Sequence, residues 1–311
     1  MKILLTGASS FTGSWFVREL AAAGHEVTAT FQLDPAAYAD ELRRRRVAAV
    51  AAVARTVHGM SFGDEAFLGL VRGEAWDVLA HHAADVTNYR SPDFDATGAV
   101  CRNTRNLAQV LAALRAGGGR RVLLTGSVFE GGEGAGSQGL PHFSPYGLSK
   151  ALTAEVFRFA CDRAGVGLGK FVIPNPFGPL EEPRYTAYLM KAWLAGQTPS
   201  CANPAYVRDN IHVSLLAKCY VRFAETLPET GFVRTNPSGY AESQGAFTLR
   251  LAAEMRPRLG VPCAVELKRQ VEFPEPRVRL NTDIPDAQAL GWDESLAWDE
   301  MAAYYRESSA R

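Results

Sequence analysis

No stretch of this 311-residue sequence approaches the ~18 consecutive apolar residues that a membrane-spanning helix needs. The start of the chain has no basic segment followed by a long apolar one. Ile3-Leu4-Leu5 runs straight into Thr6-Gly7, so no secretory leader is expected and a cytoplasmic location is. Net charge is also absent. Lys and Arg number 33, as do Asp and Glu, which removes any global attraction to nucleic acid or to an anionic membrane. The four arginines at 43–46 are a local exception, read as a solvated helix face. Cysteine is scarce: Cys101, Cys161, Cys201, Cys219 and Cys263 are odd in number and form no CxxC pair. That argues against a disulfide framework and a zinc site, and for buried free thiols in a reducing compartment. There is no HxxxH and no carboxylate cluster. His81 and His82 are adjacent at a strand end and point to opposite faces, so no metal site is expected. What is present is an ordinary balance, 47% hydrophobic and 21% charged, sufficient to bury a large core.

The first half alternates short apolar runs with helical stretches. Strands are expected at Lys2–Thr6, 26–31, 53–58, 76–81, 121–125 and 169–173. Helices are expected at 12–23, 36–52, from Asp64 as N-cap to 71, at 94–115 and at 145–163. Six strands separated by helices predict an α/β fold, a doubly wound parallel sheet of the Rossmann type spanning residues 1–174. After Pro174 prolines become dense and elements shorten. Helices are expected at 183–194, Val213–Glu225, 243–259 and 296–306, with strands at 206–212, Phe232–Thr235 and 263–267. This predicts a smaller substrate-binding lobe from 175–205 and 237–311, with 206–236 returning to the first domain. The Gly-rich stretch 131–139 reads as a flexible loop.

The first strand runs through Thr6-Gly7-Ala8-Ser9-Ser10-Phe11-Thr12-Gly13 directly into a helix. Gly7 permits the sharp turn and Gly13 close helix–strand packing, and a helix N-terminus offers N–H groups to a pyrophosphate. A lone Gly-rich loop is a weak signal; its place between first strand and first helix makes it a dinucleotide site. Sites that prefer NAD carry an acid at the end of the second strand to hold the ribose 2′-hydroxyl. Here that strand ends Thr30-Phe31-Gln32. NADP is therefore the expected cofactor, with NAD the alternative, and Ser9, Ser10, Gln32 or an arginine of 43–46 as contacts for a 2′-phosphate.

Ser144-Pro145-Tyr146-Gly147-Leu148-Ser149-Lys150 contains a tyrosine and a lysine four residues apart, on one helix face. A nearby ammonium favours phenolate over phenol. Moving the phenol from about 10 to about 7 is worth roughly 4 kcal/mol and makes Tyr146 a useful acid/base near neutral pH.

The order of these motifs resembles the extended short-chain dehydrogenase/reductase family, of the NAD-dependent epimerase/dehydratase type, over nearly the whole chain. The loop Gly7, Ser10, Gly13 is similar to that family's TGxxGxxG, with Ser10 at the middle glycine. His81-His82-Ala83-Ala84 resembles its HxAA segment, and Ala289-Leu290-Gly291-Trp292 its LGW turn. The resemblance implies that Gly7, Ser9, Ser10, Phe11, Thr12, Gly13, His82, Ala83, Ala84, Tyr146, Lys150 and Pro174 hold the cofactor, with Lys150 on the nicotinamide ribose. It also implies a catalytic Ser or Thr beside Tyr146. Strand length points to Ser127, while Val128-Phe129-Glu130-Gly131, similar to the family's VFDG continuation, points to Thr125. Ser127 is preferred.

For substrate, Pro174-Asn175-Pro176-Phe177-Gly178-Pro179 resembles the family's RxxNxYGP segment, and Arg208-Asp209-Asn210-Ile211-His212-Val213 its RDxIHV. Asn175 and Arg208 are thereby implied to bind the phosphates of a nucleotide sugar. Arginine suits this because its planar fork matches phosphate oxygens. The acidic pair that usually follows the second motif is replaced by Ser214-Leu215. The Asp-Glu pair of the family's dehydratases is missing after either candidate hydroxyl, so dehydration is not expected. The expected reaction is reduction of the C4 ketone of a nucleotide sugar. The alternative is 4-epimerisation with bound NAD, and a further alternative is a non-catalytic dinucleotide-binding regulator. By the same resemblance, helices 94–115 and 145–163 imply a homodimer.

Overall fold

The computed structural model describes residues 1–136, 140–271 and 276–309. The chain divides into two compact units. The first comprises residues 1–133, 141–173 and 217–236, and the second 134–140, 174–216 and 237–311. Of the Gly-rich stretch 131–139, residues 137–139 lie outside the described residues.

In the first unit the strands are β1 (Lys2–Thr6), β2 (Glu26–Thr30), β3 (Arg55–Val57), β4 (Val78–His81), β5 (Arg121–Ser127), β6 (Gly167–Ile173) and β10 (Phe232–Thr235). They form one seven-stranded sheet in the order β10-β6-β5-β4-β1-β2-β3, every pairing parallel. The order reverses beside β1, at the loop of Gly7–Gly13, which is where doubly wound sheets place a ligand. The expected Rossmann architecture is thus present, with β10, from the stretch 206–236, as its seventh strand. Parallel strands are covered on both faces by helices and so read as continuous apolar runs. The helices are α1 (Phe11–Ala22), α2 (Glu41–Ala51), α3 (Glu65–Gly73), α4 (Ala96–Asn103), α5 (Leu107–Ala116), α6 (Pro145–Ala164) and α8 (Val213–Glu225), the last entering this unit at Ala217. Asp64 caps α3 as expected, its Oδ1 accepting from Phe67 N at 2.8 Å.

Two expected helices differ. The stretch 94–115 is not one helix but α4 and α5. Thr104 Oγ1 donates back to Val100 O at 2.7 Å. Asn106 adopts a left-handed conformation, φ 51°, while its amide donates to Gly63 O at 2.8 Å. Asparagine tolerates that conformation, and such local bonds compete with helix continuation. The stretch 36–52 opens with a 3-10 turn at Pro35–Ala37, and α2 starts only after Asp40, whose carboxylate caps Leu42 N at 3.1 Å. Arg46 departs from the expected solvated face. It is fully buried, its guanidinium 5.9 Å from the Phe11 ring.

The second unit contains β7 (Asn175–Phe177), α7 (Tyr185–Leu194), β8 (Ser200–Cys201), β9 (Val207–His212), β11 (Tyr240–Ser243), α9 (Gln244–Leu259), β12 (Glu266–Leu267), β13 (Val278–Arg279) and α10 (Glu294–Ser309). β9 does not return to the large sheet. It pairs with β7, β11 and β13 in a small sheet of its own. Asp209 explains the placement: fully buried on β9, it accepts from Gly239 N at 2.7 Å and Asn281 N at 2.9 Å, the backbone leading into the neighbouring strands. The core here gathers Phe177, Trp193, Phe247 and Trp298. The strand expected at 263–267 shortens to β12, paired with β8. All five cysteines are free; Cys161, Cys201 and Cys263 are buried, and Cys101 is exposed. Among the described residues no group of His, Cys, Asp and Glu is placed to hold a metal, and no helix is long and apolar enough to cross a membrane.

Candidate active site

The site in the first unit grows from three backbone features at the C-terminal ends of parallel strands. β1 feeds the loop to α1, β4 ends at His81, and β5 ends at Ser127. Gly7 sits at φ 81°, and a Cβ there would lie 2.7 Å from Ala83 N. Only glycine turns this loop against the strand beside it. Ser10 caps α1, its Oγ accepting from Gly13 N at 3.1 Å and donating to Gly7 O at 2.9 Å. An α-helix leaves its first N–H groups without helical partners, and with Gly13 N taken by Ser10 the N–H groups of Phe11 and Thr12 are the donors left for a pyrophosphate.

His81 and His82 point opposite ways, as strand alternation requires. His81 bonds Thr6 Oγ1 through Nδ1 at 2.9 Å and Asn103 O through Nε2 at 3.2 Å. His82 turns to the loop: Nε2 lies 3.0 Å from Ser10 Oγ and 3.1 Å from Thr12 Oγ1, and Nδ1 lies 2.9 Å from Thr125 Oγ1. Burial, reinforced by the charge of Lys150, pushes both imidazoles down to about 3, so both are neutral at physiological pH. Ala83 N donates to Thr6 Oγ1 at 3.1 Å, which fixes the Ala83-Ala84 backbone against β1.

Tyr146 and Lys150 sit one turn apart on α6, which Ser144 caps. The Tyr146 ring is flanked by Tyr89 at 5.3 Å and Phe94 at 6.0 Å. Lys150 is buried and its Nζ donates to Thr125 O at 2.5 Å. Burial lowers Lys150 to about 8, with Glu130 raising it and Lys170 lowering it further.

The two candidate hydroxyls on β5 fare differently. Thr125 is buried and its Oγ1 is occupied by His82. Ser127 is half-buried and its Oγ accepts from Phe129 N at 3.2 Å, a bond that leaves the hydroxyl proton unused.

Behind this strand end lies a charged cluster that the sequence reading missed. Glu130 is fully buried, accepts from Ser127 N at 2.7 Å and pairs with Lys170 Nζ at 2.5 Å. Lys170 also reaches Glu133 at 2.8 Å, and Glu133 accepts from Asn236 Nδ2 at 2.9 Å. Burial works against the Lys170 charge, but Glu130 and Glu133 outweigh it and hold the ammonium above its ordinary value. The available signal was a lone lysine in the apolar run Leu168–Ile173 of β6, a position that demands a buried partner.

Pro174, Asn175 and Arg208 belong to the second unit. Asn175 Nδ2 donates to Asp209 O at 3.1 Å. Arg208 lies over the Tyr206 ring at 5.0 Å and donates to Val207 O and Pro276 O. β13 places Arg279 in register with Arg208 on the adjacent strand, a second arginine that the sequence reading did not single out.

The NAD dependent epimerase/dehydratase family matches residues 3–232. The chain belongs to that family. With membership comes an NAD-dependent enzyme of the extended short-chain dehydrogenase/reductase type. Among curated proteins, the UDP-glucose 4-epimerase of Mycolicibacterium smegmatis is 27% identical over 336 aligned positions, covering 97% of this chain and 96% of that one. Among solved structures sharing the fold are UDP-glucose 4-epimerase of Thermotoga maritima with UDP-glucose (TM-score 0.74, 18% identity, 99% of this chain and 100% of that chain). Another is UDP-glucuronic acid 4-epimerase of Bacillus cereus with UDP-glucuronic acid and NAD (TM-score 0.73, 19% identity, the same coverage). The tight turn at Gly7 and the first turn of α1 lie within the matched segment. In place of an acid after β2 the chain has Phe31, buried and stacked on His58 at 4.9 Å.

Proposed function

We propose that this enzyme is a nucleotide-sugar 4-epimerase, with C4 ketoreduction as the second reading. The observation that carries it is the end-to-end match to a UDP-glucose 4-epimerase, 97% of one chain on 96% of the other. The chemistry of the site agrees. A bound nicotinamide dinucleotide supplies a hydride acceptor that can return the hydride. It would be held in the first unit by Gly7, Ser9, Ser10, Phe11, Thr12, Gly13, Ala83 and Ala84, with Lys150 on the ribose. The proton is the chain's own task. Tyr146 takes it from the sugar O4 and gives it back, Lys150 favours the phenolate, and Ser127 donates a hydrogen bond to the same oxygen. Thr125 is the less suited hydroxyl because His82 already engages it. Dehydration lacks a free acid: Glu130 and Glu133 are buried and paired with Lys170. In the second unit Asn175 and the neighbouring Arg208 and Arg279 are suited to a nucleoside diphosphate.

Purified enzyme given UDP-glucose is expected to form UDP-galactose with no net change in absorbance at 340 nm. Net oxidation of NADPH on a 4-keto sugar nucleotide, without interconversion of the 4-epimers, would replace this reading with the reductase. For the dinucleotide, the relatives named above include one with NAD, whereas Phe31 leaves no carboxylate to repel a 2′-phosphate. NAD is the ligand that goes with the epimerase reading, and the expected NADP becomes the alternative that Phe31 admits; titration with both decides, and an NADP affinity tenfold the higher reverses the order. A homodimer is supported by α6, where Leu152, Val156 and Phe159 form an exposed apolar stripe, Phe159 at 71% exposure.

A further inference from the structure

His82 sits at the open position of the HxAA segment, and Ser10 stands where the family's loop has its middle glycine. The structure joins these two departures through a hydrogen bond, and the proton count assigns its direction. A hydroxyl has one proton and two lone pairs. The Ser10 proton goes to Gly7 O, and one lone pair takes Gly13 N–H. Towards His82, Ser10 can only accept. Nε2 of the imidazole therefore carries the ring proton, shared between Ser10 Oγ and Thr12 Oγ1. In a neutral ring Nδ1 is then an acceptor, and the group facing it is the Thr125 hydroxyl at 2.9 Å. Phe16 closes the ring from the side, edge-on at 5.2 Å. Every polar atom of Ser10 and of the imidazole is used.

We infer that His82 is a positioning residue that bolts the phosphate loop to β5, holding the first turn of α1 in place for the cofactor's pyrophosphate and drawing the Thr125 proton away from the substrate. The inference rests on the dinucleotide role assigned above to the Gly7–Gly13 loop. It explains why a serine is accepted in the loop: its hydroxyl replaces, by a specific bond, the close packing that a glycine allows.

The test uses the full chain and two readouts that do not depend on turnover. Nitrogen-15 NMR of histidine-labelled wild type is expected to show His82 with a protonated Nε2 and an unprotonated Nδ1 at pH 7. The reverse tautomer, or an imidazolium, overturns the bolt whatever the variants do. Dinucleotide binding is then titrated, with NAD and with NADP, for His82→Leu, His82→Gln, Ser10→Gly and the Ser10→Gly/His82→Leu pair. Loss of a positioned hydrogen bond predicts about tenfold weaker binding for His82→Leu. His82→Gln, which can donate and accept, is expected to stay within about threefold of wild type on the same grounds. The double variant is expected to bind no worse than His82→Leu alone, because both changes break one connection. Unchanged binding in His82→Leu, or additive losses in the pair, overturns the inference. A wild type that binds neither dinucleotide would overturn the cofactor reading instead, while the tautomer measurement would still decide the bolt.

Discussion

Thr125 and Ser127 project from the same face of β5, two residues apart, yet only one has a hydroxyl proton to spare. That difference makes a prediction at the scale of a single atom. Ser127→Ala is expected to lose about 10²-fold or more in turnover, and Thr125→Val less than about tenfold. Steady-state kinetics of the two variants checks it, and a crippled Thr125→Val beside an active Ser127→Ala would reverse the assignment. Lys150 gives a second prediction. Burial lowers it to about 8, so the ammonium proposed to support the Tyr146 phenolate is present below that pH and lost above it. Turnover should fall as pH rises through about 8. The groups whose charges bear on Lys150 are Glu130, which raises it, and Lys170, which lowers it. Neutralising Glu130 by Glu130→Gln should therefore move the alkaline limb to lower pH. A limb that stays in place would show that the fall has another origin. At this scale Tyr146, Lys150 and the Gly7–Gly13 loop were legible, because fixed spacing on a helix or a tight turn is a local property. The choice between Thr125 and Ser127 was not, because it depends on His82, more than forty positions away in the chain.

Elements carry the next set of consequences. The end of β5 is held by a salt-bridge cluster in which Lys170 is 9% and Glu130 0% exposed. Removing one member of a buried pair leaves its partner charged and desolvated, and costs about 3–5 kcal/mol. Lys170→Met should lower stability by that order in denaturant unfolding. A change below about 1 kcal/mol, the range of exposed pairs, would mean that the cluster is solvated in solution. On α6, Phe159→Glu places a charge at the most exposed position of the apolar stripe and is expected to convert a dimer into monomers by light scattering. A wild type that is already monomeric would remove the dimer from the proposal. Helix positions were read well where caps decide them, as at Asp64 and Ser144. The division of 94–115 at Asn106 escaped the pattern because its cause is a hydrogen bond to Gly63 O, far back in the chain.

For the whole molecule, buried ionisable groups set the response to acid. His81 and His212 are each 1% exposed and held at about 3, against an ordinary 6.5, because burial disfavours the imidazolium. The unfolded chain takes up these two protons below about 6.5 and the native chain does not, so both erode stability as pH falls from about 6.5 towards 3. Glu181 works the other way. Burial raises it to about 7 from 4.5, so the native state keeps a proton that the unfolded chain releases, and it gains stability as pH falls from about 7 to 4.5. With His82, which is also held at about 3, three imidazoles outweigh Glu181 between 4.5 and 6.5. The melting temperature should decline as pH falls below about 6.5, and His212→Gln should flatten that decline in calorimetry. An unchanged slope in the variant would show that His212 does not remain neutral in the native state.

The sequence by itself determined the doubly wound sheet, the tight loop between β1 and α1 and the one-turn spacing of Tyr146 and Lys150. Each follows from a period, a cap or a short spacing, and those act within a few residues. Tertiary structure decided what spacing cannot carry. It put β9 in a small separate sheet, because Asp209 takes backbone donors from segments 30 and 72 residues away. It buried Glu130 and Glu133 against Lys170 and so removed both acids between β5 and α6 from the chemistry. It also turned His82 to Thr125, which leaves Ser127 as the hydroxyl with a proton to give. These are pairings between distant strands, fixed only when the sheet assembles and each buried polar group must find its partner.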